Sequence, residues 1–206
     1  MSRAVSPKKL QRICIPPVSY LLKQSLMVLS DEETSLIRAS QKGDHKAFEV
    51  LIQRYQQMIH ALTFRMTGGM SDAEDLAQET FIHAYQQLEK FRGEAKFSSW
   101  LYQIAVNRCL NWRKQSLRRQ RLHEKWEPEP SAEPEQEGVG QRIQEALMKL
   151  NPKQRAAVVL TTYDGLSHAE AAKTLGCSET TVSWRLFTAR AKLKTLLKNL
   201  NVEEAT

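Results

Sequence analysis

Between Ser178 and Arg190 the chain gathers hydroxyl, guanidinium and aromatic side chains: Ser178, Thr180, Thr181, Ser183, Trp184, Arg185, Phe187, Thr188 and Arg190, with Glu179 near the start. Groups of these types donate to, accept from or pack on the edges of base pairs, and arginine also grips phosphates. Charge supports that chemistry. Thirty Lys and Arg against 23 Asp and Glu give a net charge of +7. The cations fall in two blocks free of acids: Arg113, Lys114, Arg118, Arg119 and Arg121, then Arg185, Arg190, Lys192, Lys194 and Lys198. Two separate blocks point to two contacts with a polyanion. Catalytic chemistry has little to stand on. His45, His60, His83, His123 and His168 lack partnered Cys or carboxylate spacing, and the eight glycines form no phosphate-cradling loop. No cofactor or metal site is expected.

The segment that must position the first set runs from Leu166 to Lys194 and reads as a helix-turn-helix. Ser167 and Glu170 make a capping box for one helix. Ala172 is small where two helices cross, and Gly176 sits where the chain must turn sharply. Ser178 caps a second helix, on which Val182 faces back toward Ala172 and Leu175. In such a unit the second helix lies in the major groove of DNA.

Upstream the pattern is helical from Ser30. Residues 31–43 form a short helix ended by Gly43. Residues 46–67 form a long amphipathic one, with Phe48, Leu51, Ile52, Tyr55, Ile59, Leu62 and Phe64 at three- and four-residue steps. After Gly68 and Gly69, a capping box of Ser71 and Glu74 is expected to open a third helix, with Ala73, Leu76, Ala77, Phe81, Ala84 and Leu88 inward. A loop follows near Gly93, and a helix from about Ser98 turns Trp100, Leu101, Ile104, Ala105 and Cys109 inward. Residues 118–140 lose all periodicity and mix glutamates with Pro128, Pro130 and Pro134, which reads as a tether. Helices resume near Gln141, and Asn151-Pro152 starts the next. No alternating β-branched run appears. The expectation is an all-α chain of two small helical domains joined by a flexible linker.

The three cysteines, Cys14, Cys109 and Cys177, have no metal or disulfide spacing, so a reducing cytoplasm is the expected compartment, and no apolar run is long enough for membrane insertion. Residues 1–29 have no clear period and lack the apolar centre of a signal peptide. They read as a disordered extension, and Met27 is an alternative start of translation.

The stretch DAEDLAQETFIHAYQQLEKFRGEAKFSSWLYQIAVNRCLNWRK, residues 72–114, resembles region 2 of bacterial RNA polymerase sigma factors of the sigma-70 family. The stretch LNPKQRAAVVLTTYDGLSHAEAAKTLGCSETTVSWRLFTARAKL, residues 150–193, resembles their region 4. With regions 1 and 3 lacking, the chain is similar to the extracytoplasmic-function (ECF) subfamily. The resemblance implies region 2 over 30–117, a linker over 118–140 and region 4 over 141–206. It implies a subunit, not an enzyme, that binds core RNA polymerase, recognises the −35 and −10 promoter elements and melts the second.

Asp72, Asp75, Gln78, Glu79 and Gln86 would grip the β′ coiled coil of the polymerase, while region 4 docks on the β flap. Their acidic and amide groups suit a basic helical partner; acids near a helix start also suit a plain solvated face. The −10 element would meet Arg92, Lys96, Phe97, Ser98, Ser99, Trp100, Tyr102, Asn107, Arg108, Arg113 and Lys114. Of these, Lys96 to Ser99 would hold a flipped base, and Arg108, Arg113 and Lys114 would hold phosphates. Trp100 has an aromatic face but also the spacing of a core residue. The −35 element would meet Ser178, Glu179, Thr180, Thr181, Ser183, Trp184, Arg185, Phe187, Thr188 and Arg190. Relatives carry basic residues at Ser183 and Thr188 and a small or basic one at Trp184, so the sequence read is not given by analogy. Trp184 reaches bases or packs on its own domain. The tether spans on the order of 25 Å as a coil and roughly 75 Å extended, enough to separate two DNA readers by one to two helical turns. The subfamily also implies an anti-sigma partner. A self-contained operator-binding regulator is the competing reading.

Overall fold

A gap of two glycines, Gly68 and Gly69, sets the geometry of the first half. The computed structural model describes residues 31–123 and 138–198. Helix α1 covers residues 31–41 of that span, and α2 is His45–Thr67. Asp44 caps α2 by accepting from the Lys46 and Ala47 amides at 3.0 and 3.2 Å. Gly68 closes it in the left-handed conformation, φ 84°. A side chain there would be strained by that φ and would also strike Met148, whose Sδ lies 2.9 Å from the position of a Cβ.

The turn is so tight that α3, Met70–Gln87, begins before Ser71 can cap it. Its N-cap is Gly69, with no side-chain bond. The expected box of Ser71 and Glu74 is therefore not the device used. Two threonines stitch the corner instead: Thr63 Oγ1 donates to the Ala73 carbonyl at 2.9 Å, and Thr67 Oγ1 bonds the Gly69 carbonyl at 3.2 Å. A 3₁₀ turn, Leu88–Lys90, leads to the loop before α4, Phe97–His123. Helix α4 continues past the expected linker start at 118. Residues 118–122 are Arg, Gln and Leu, types that lose little rotamer freedom in a helix. The extension 1–29, with Met27, and linker residues 124–137 lie outside the described residues.

The second half holds α5, Val139–Met148; α6, Pro152–Val158, extended by a π turn over Val159–Tyr163; α7, His168–Leu175; and α8, Glu179–Leu196. Asn151 and Gln154 form a full capping box with Pro152 at the first turn. The cores of the two halves are continuous. Leu51, Ile59, Leu62, Leu101 and Val106 lead through Leu147 and Ala157 to Leu160, Val182 and Leu186, all buried.

Arg155 holds this junction. It is 1% exposed, and no carboxylate sits against it among the described residues. Its guanidinium donates to the carbonyls of Leu147 (2.8 Å), Met148 (2.7 Å) and Leu150 (3.3 Å), and to Met66 of α2. Those carbonyls lie at the C-terminal ends of α5 and α2, where helix dipoles are negative and acceptors otherwise go unpaired. Burial pulls its pKa down to about 10, which leaves it cationic at neutral pH.

Candidate nucleic-acid interface

The loop from Phe91 to Lys96 is supported from beneath by four aromatics. Phe97 stacks against Tyr55, Phe91 and Trp100 at centroid distances of 5.6, 5.4 and 5.5 Å, and Phe91 meets Trp100 at 5.1 Å. Gln41 Nε2 donates to both the Leu88 and Phe91 carbonyls at 2.9 Å and pins the loop's entry. Two of the expected DNA contacts lie inside this arrangement. Phe97 is 3% exposed and Tyr102 5%, so both pack in the core. Trp100 is half-buried in the same cluster.

Arg92 and Lys96 are exposed, with Ser98 and Ser99 half-buried on the first turn of α4. An open groove of about 790 Å³ lies beside the loop, bordered by Arg38, Gln41, Tyr55, Arg92, Lys96 and Ser98. Farther along α4, Asn107 and Lys114 are exposed and Arg113 is half-buried. Arg108 is half-buried and held by α3, bonding His83 Nδ1 at 2.9 Å and facing Glu79 at 3.8 Å.

On α3, Asp72, Asp75, Gln78, Glu79 and Gln86 are all exposed. Asp72 accepts from Trp112 Nε1 at 3.1 Å, and Glu79 faces Arg108. Asp75, Gln78 and Gln86 remain turned outward around Ile82, which is 59% exposed. Ile82 escaped the sequence reading, although an apolar residue three positions after Glu79 and four before Gln86 marks it. A shallow groove of about 360 Å³ beside it is bordered by Gln56, Gln57, His60, Glu74, Gln78 and Phe81.

The helix-turn-helix has the expected capping. Ser167 and Glu170 bond reciprocally at 3.0 and 3.2 Å, Gly176 turns at φ 58°, and Ser178 Oγ accepts from the Thr181 amide at 3.2 Å. Val182 is 0% exposed against Ala171 and Ala172. Cys177 is half-buried, with Arg185 Nη1 3.4 Å from its sulfur, while Cys109 is buried and its thiol pushed up to about 12 by desolvation. Ser178, Glu179, Thr180, Ser183, Trp184, Phe187 and Arg190 are exposed; Thr181, Arg185 and Thr188 are half-buried. Trp184, at 63% exposure, does not pack on its own domain.

The loop and the helix-turn-helix touch. Lys96 Nζ pairs with Glu170 Oε1 at 3.3 Å, from α4 side to α7. Bonds from Ser167 and from Lys96 hold the Glu170 carboxyl below its usual range. Nearby, Asp164 bonds the Tyr102 hydroxyl. Its Oδ2 has no hydrogen-bond partner among the described residues. Burial raises the Asp164 pKa to about 6, against the pull of Arg65 and Tyr102. Arg65 itself lies over the Tyr163 ring at 4.4 Å. None of the described helices is long and apolar enough to cross a membrane.

Residues 51–121 match the family Sigma-70 region 2, and residues 140–193 match Sigma-70, region 4. An ECF RNA polymerase sigma factor of Mycobacterium tuberculosis, SigM, is 36% identical over 82% of this chain and 86% of its own length. The ECF RNA polymerase sigma-E factor of Escherichia coli is 33% identical over 75% of this chain and 88% of its own. Among solved structures, RpoE of Bartonella quintana, in complex with the anti-sigma factor NepR, superposes with a TM-score of 0.61. It is 27% identical and covers 74% of this chain and 98% of that one. CnrH, in complex with the cytosolic domain of CnrY, gives 0.61 at 29% identity, covering 82% and 98%. A subunit of this kind recognises promoters at the initiation of transcription and is not an enzyme. By both regions and by its relatives, this chain belongs to the ECF subfamily of the sigma-70 family of RNA polymerase sigma factors.

Proposed function

We propose that α8 reads the −35 element as duplex through its exposed face, while Arg92, Lys96, Ser98 and Ser99 hold an unstacked base of the −10 element beside the loop groove. Asn107, Arg113 and Lys114 then follow the phosphates. The outward stripe of α3, Asp75, Gln78 and Gln86 around Ile82, docks on the β′ coiled coil. The helices from α5 onward dock on the β flap. The observation that carries this reading is the sorting of α8: Val182, Leu186 and Ala189 are sealed in the core, while every side chain on the opposite side is open to solvent. Melting is driven by capture of unstacked bases, without nucleotide hydrolysis. RpoE was solved with the anti-sigma factor NepR and CnrH with the cytosolic domain of CnrY, and an anti-sigma partner would cover the same surfaces here. The site of action is the cytoplasm, where polymerase works. The units proposed are region 2 over 30–117 and region 4 over 141–206, joined by the linker.

Reconstitution with core polymerase on a promoter duplex tests this. Asp75→Lys should lower core affinity about tenfold or more while the melting temperature stays put, since the residue is exposed. Alanines at Lys96, Ser98 and Ser99 should spare core binding and slow promoter opening. Core binding unchanged by Asp75→Lys, or opening unchanged by the alanines, overturns the corresponding assignment.

A further inference from the structure

At 3.6 residues per turn, the side of α8 opposite Val182, Leu186 and Ala189 is centred on Thr180, Trp184, Phe187 and Ala191. Trp184 is 63% exposed and Phe187 73%. These are large apolar surfaces at the centre of a helix face that the fold leaves open.

The hydrogen-bonding groups around them are already engaged. Thr180 Oγ1 and Thr181 Oγ1 each pair with Ser178 Oγ at 2.8 Å. Ser183 Oγ pairs with His168 Nδ1 at 3.0 Å. Thr188 Oγ1 lies 3.0 Å from the Trp184 and Arg185 carbonyls and accepts from Gln154 Nε2 at 2.9 Å. Each of these hydroxyls thus already holds a bond within its own domain, while Ser178, Thr180 and Ser183 stay exposed. What the face offers instead is two rings, with the exposed cations Arg190 and Lys194 at its shoulder. A polyanion fits that frame, and an apolar protein partner does not. Within the major groove, the apolar feature of a base edge is the thymine 5-methyl group.

We propose that Trp184 and Phe187 are specificity-determining residues that read thymine methyl groups at neighbouring base pairs of the −35 element. The assignment rests on α8 being the duplex reader. Residues three apart on a helix are offset about 4.5 Å along its axis, close to the roughly 3.4 Å between base pairs along a strand. Two rings therefore address adjacent or next-but-one positions. Readout of this kind separates thymine from cytosine, and also from uracil, which pairs with adenine identically but lacks the methyl.

The experiment uses holoenzyme assembled from the full chain and core polymerase. Promoter duplexes with a randomised upstream segment are selected, and the enriched thymines are then replaced by deoxyuridine. Thymine should be enriched at neighbouring positions, and each lost methyl should weaken binding about fourfold, the value of removing one such group from water. The double variant Trp184→Ala with Phe187→Ala should bind thymine and uracil duplexes equally, with melting temperature and −10 fragment binding unchanged. Equal binding of the two duplexes by the unmodified chain overturns the assignment, as does selection without thymine. Arg190→Ala separates the two levels. If it weakens upstream binding while methyl discrimination is absent, only the thymine assignment fails. If neither it nor the aromatic variant alters dependence on the upstream segment, the assignment of α8 as reader fails with it.

Discussion

Arg155 is buried and bonds four carbonyls at once. Its guanidinium takes the place of a carboxylate pair with carbonyls from two helix ends. Arg155→Ala would leave those carbonyls buried without donors, each worth about 1–3 kcal/mol, and would open a void. Thermal or urea unfolding of that variant should show a loss of about 3 kcal/mol or more. Arg155→Lys should recover little, because a compact ammonium cannot reach acceptors on both sides as the planar fork does. A loss under 1 kcal/mol would mean that water replaces the side chain. Sequence alone does not reveal this residue: an arginine one position before Ala156, on a short helix, reads as a solvated charge. Phe97 and Tyr102 show the converse. Their types suit base stacking, and only the fold shows them turned inward.

At the scale of elements, the chain's pattern was most legible where chemistry is local. The caps at Ser167, Ser178 and Asn151 and the turn at Gly176 follow from side chains that bond their own helix starts or relieve a left-handed φ. Gly176→Ala should accordingly destabilise the second half by about 1 kcal/mol, read as a shift in urea midpoint. Unchanged stability would mean that the turn relaxes to another conformation. Legibility fell where tertiary geometry decides. The Ser71 and Glu74 box is sound as a motif, yet Thr63 and Thr67 hold the α2–α3 corner and start α3 earlier. Helix α4 likewise runs on to His123, because its residues have good helix propensity even without an apolar stripe. Of the set proposed to face the promoter, Arg92, Lys96 and the outward residues of α8 could be located from sequence. Gln41, which pins the loop, and Ile82, which centres the α3 face, came only from the packing.

At the scale of the whole molecule, the two helical domains expected from the sequence are present as regions 2 and 4, and among the described residues their buried side chains form one continuous core. Asp164 makes their junction weaken as pH rises. Its pKa is about 6 where it is buried beside Tyr102, against an ordinary 3.8 when released. A raised carboxyl favours the packed arrangement when protonated, so that contribution is full below about pH 4 and is lost as pH rises through 6. Distances between labels on the two halves should therefore lengthen from pH 4 to pH 7. Asp164→Asn should flatten this part of the profile, and an unchanged profile would place the titration elsewhere. The ion pair of Lys96 with Glu170 has a further consequence for timing. The loop proposed to seize an unstacked base is docked against the helix that supports the duplex reader. DNA competes with Glu170 for the Lys96 ammonium, so where the pair must part first the apparent affinity of the free chain falls by the fraction of molecules already open. Any partner that holds the halves apart would therefore raise affinity for promoter DNA without touching it. The junction makes recognition conditional on company.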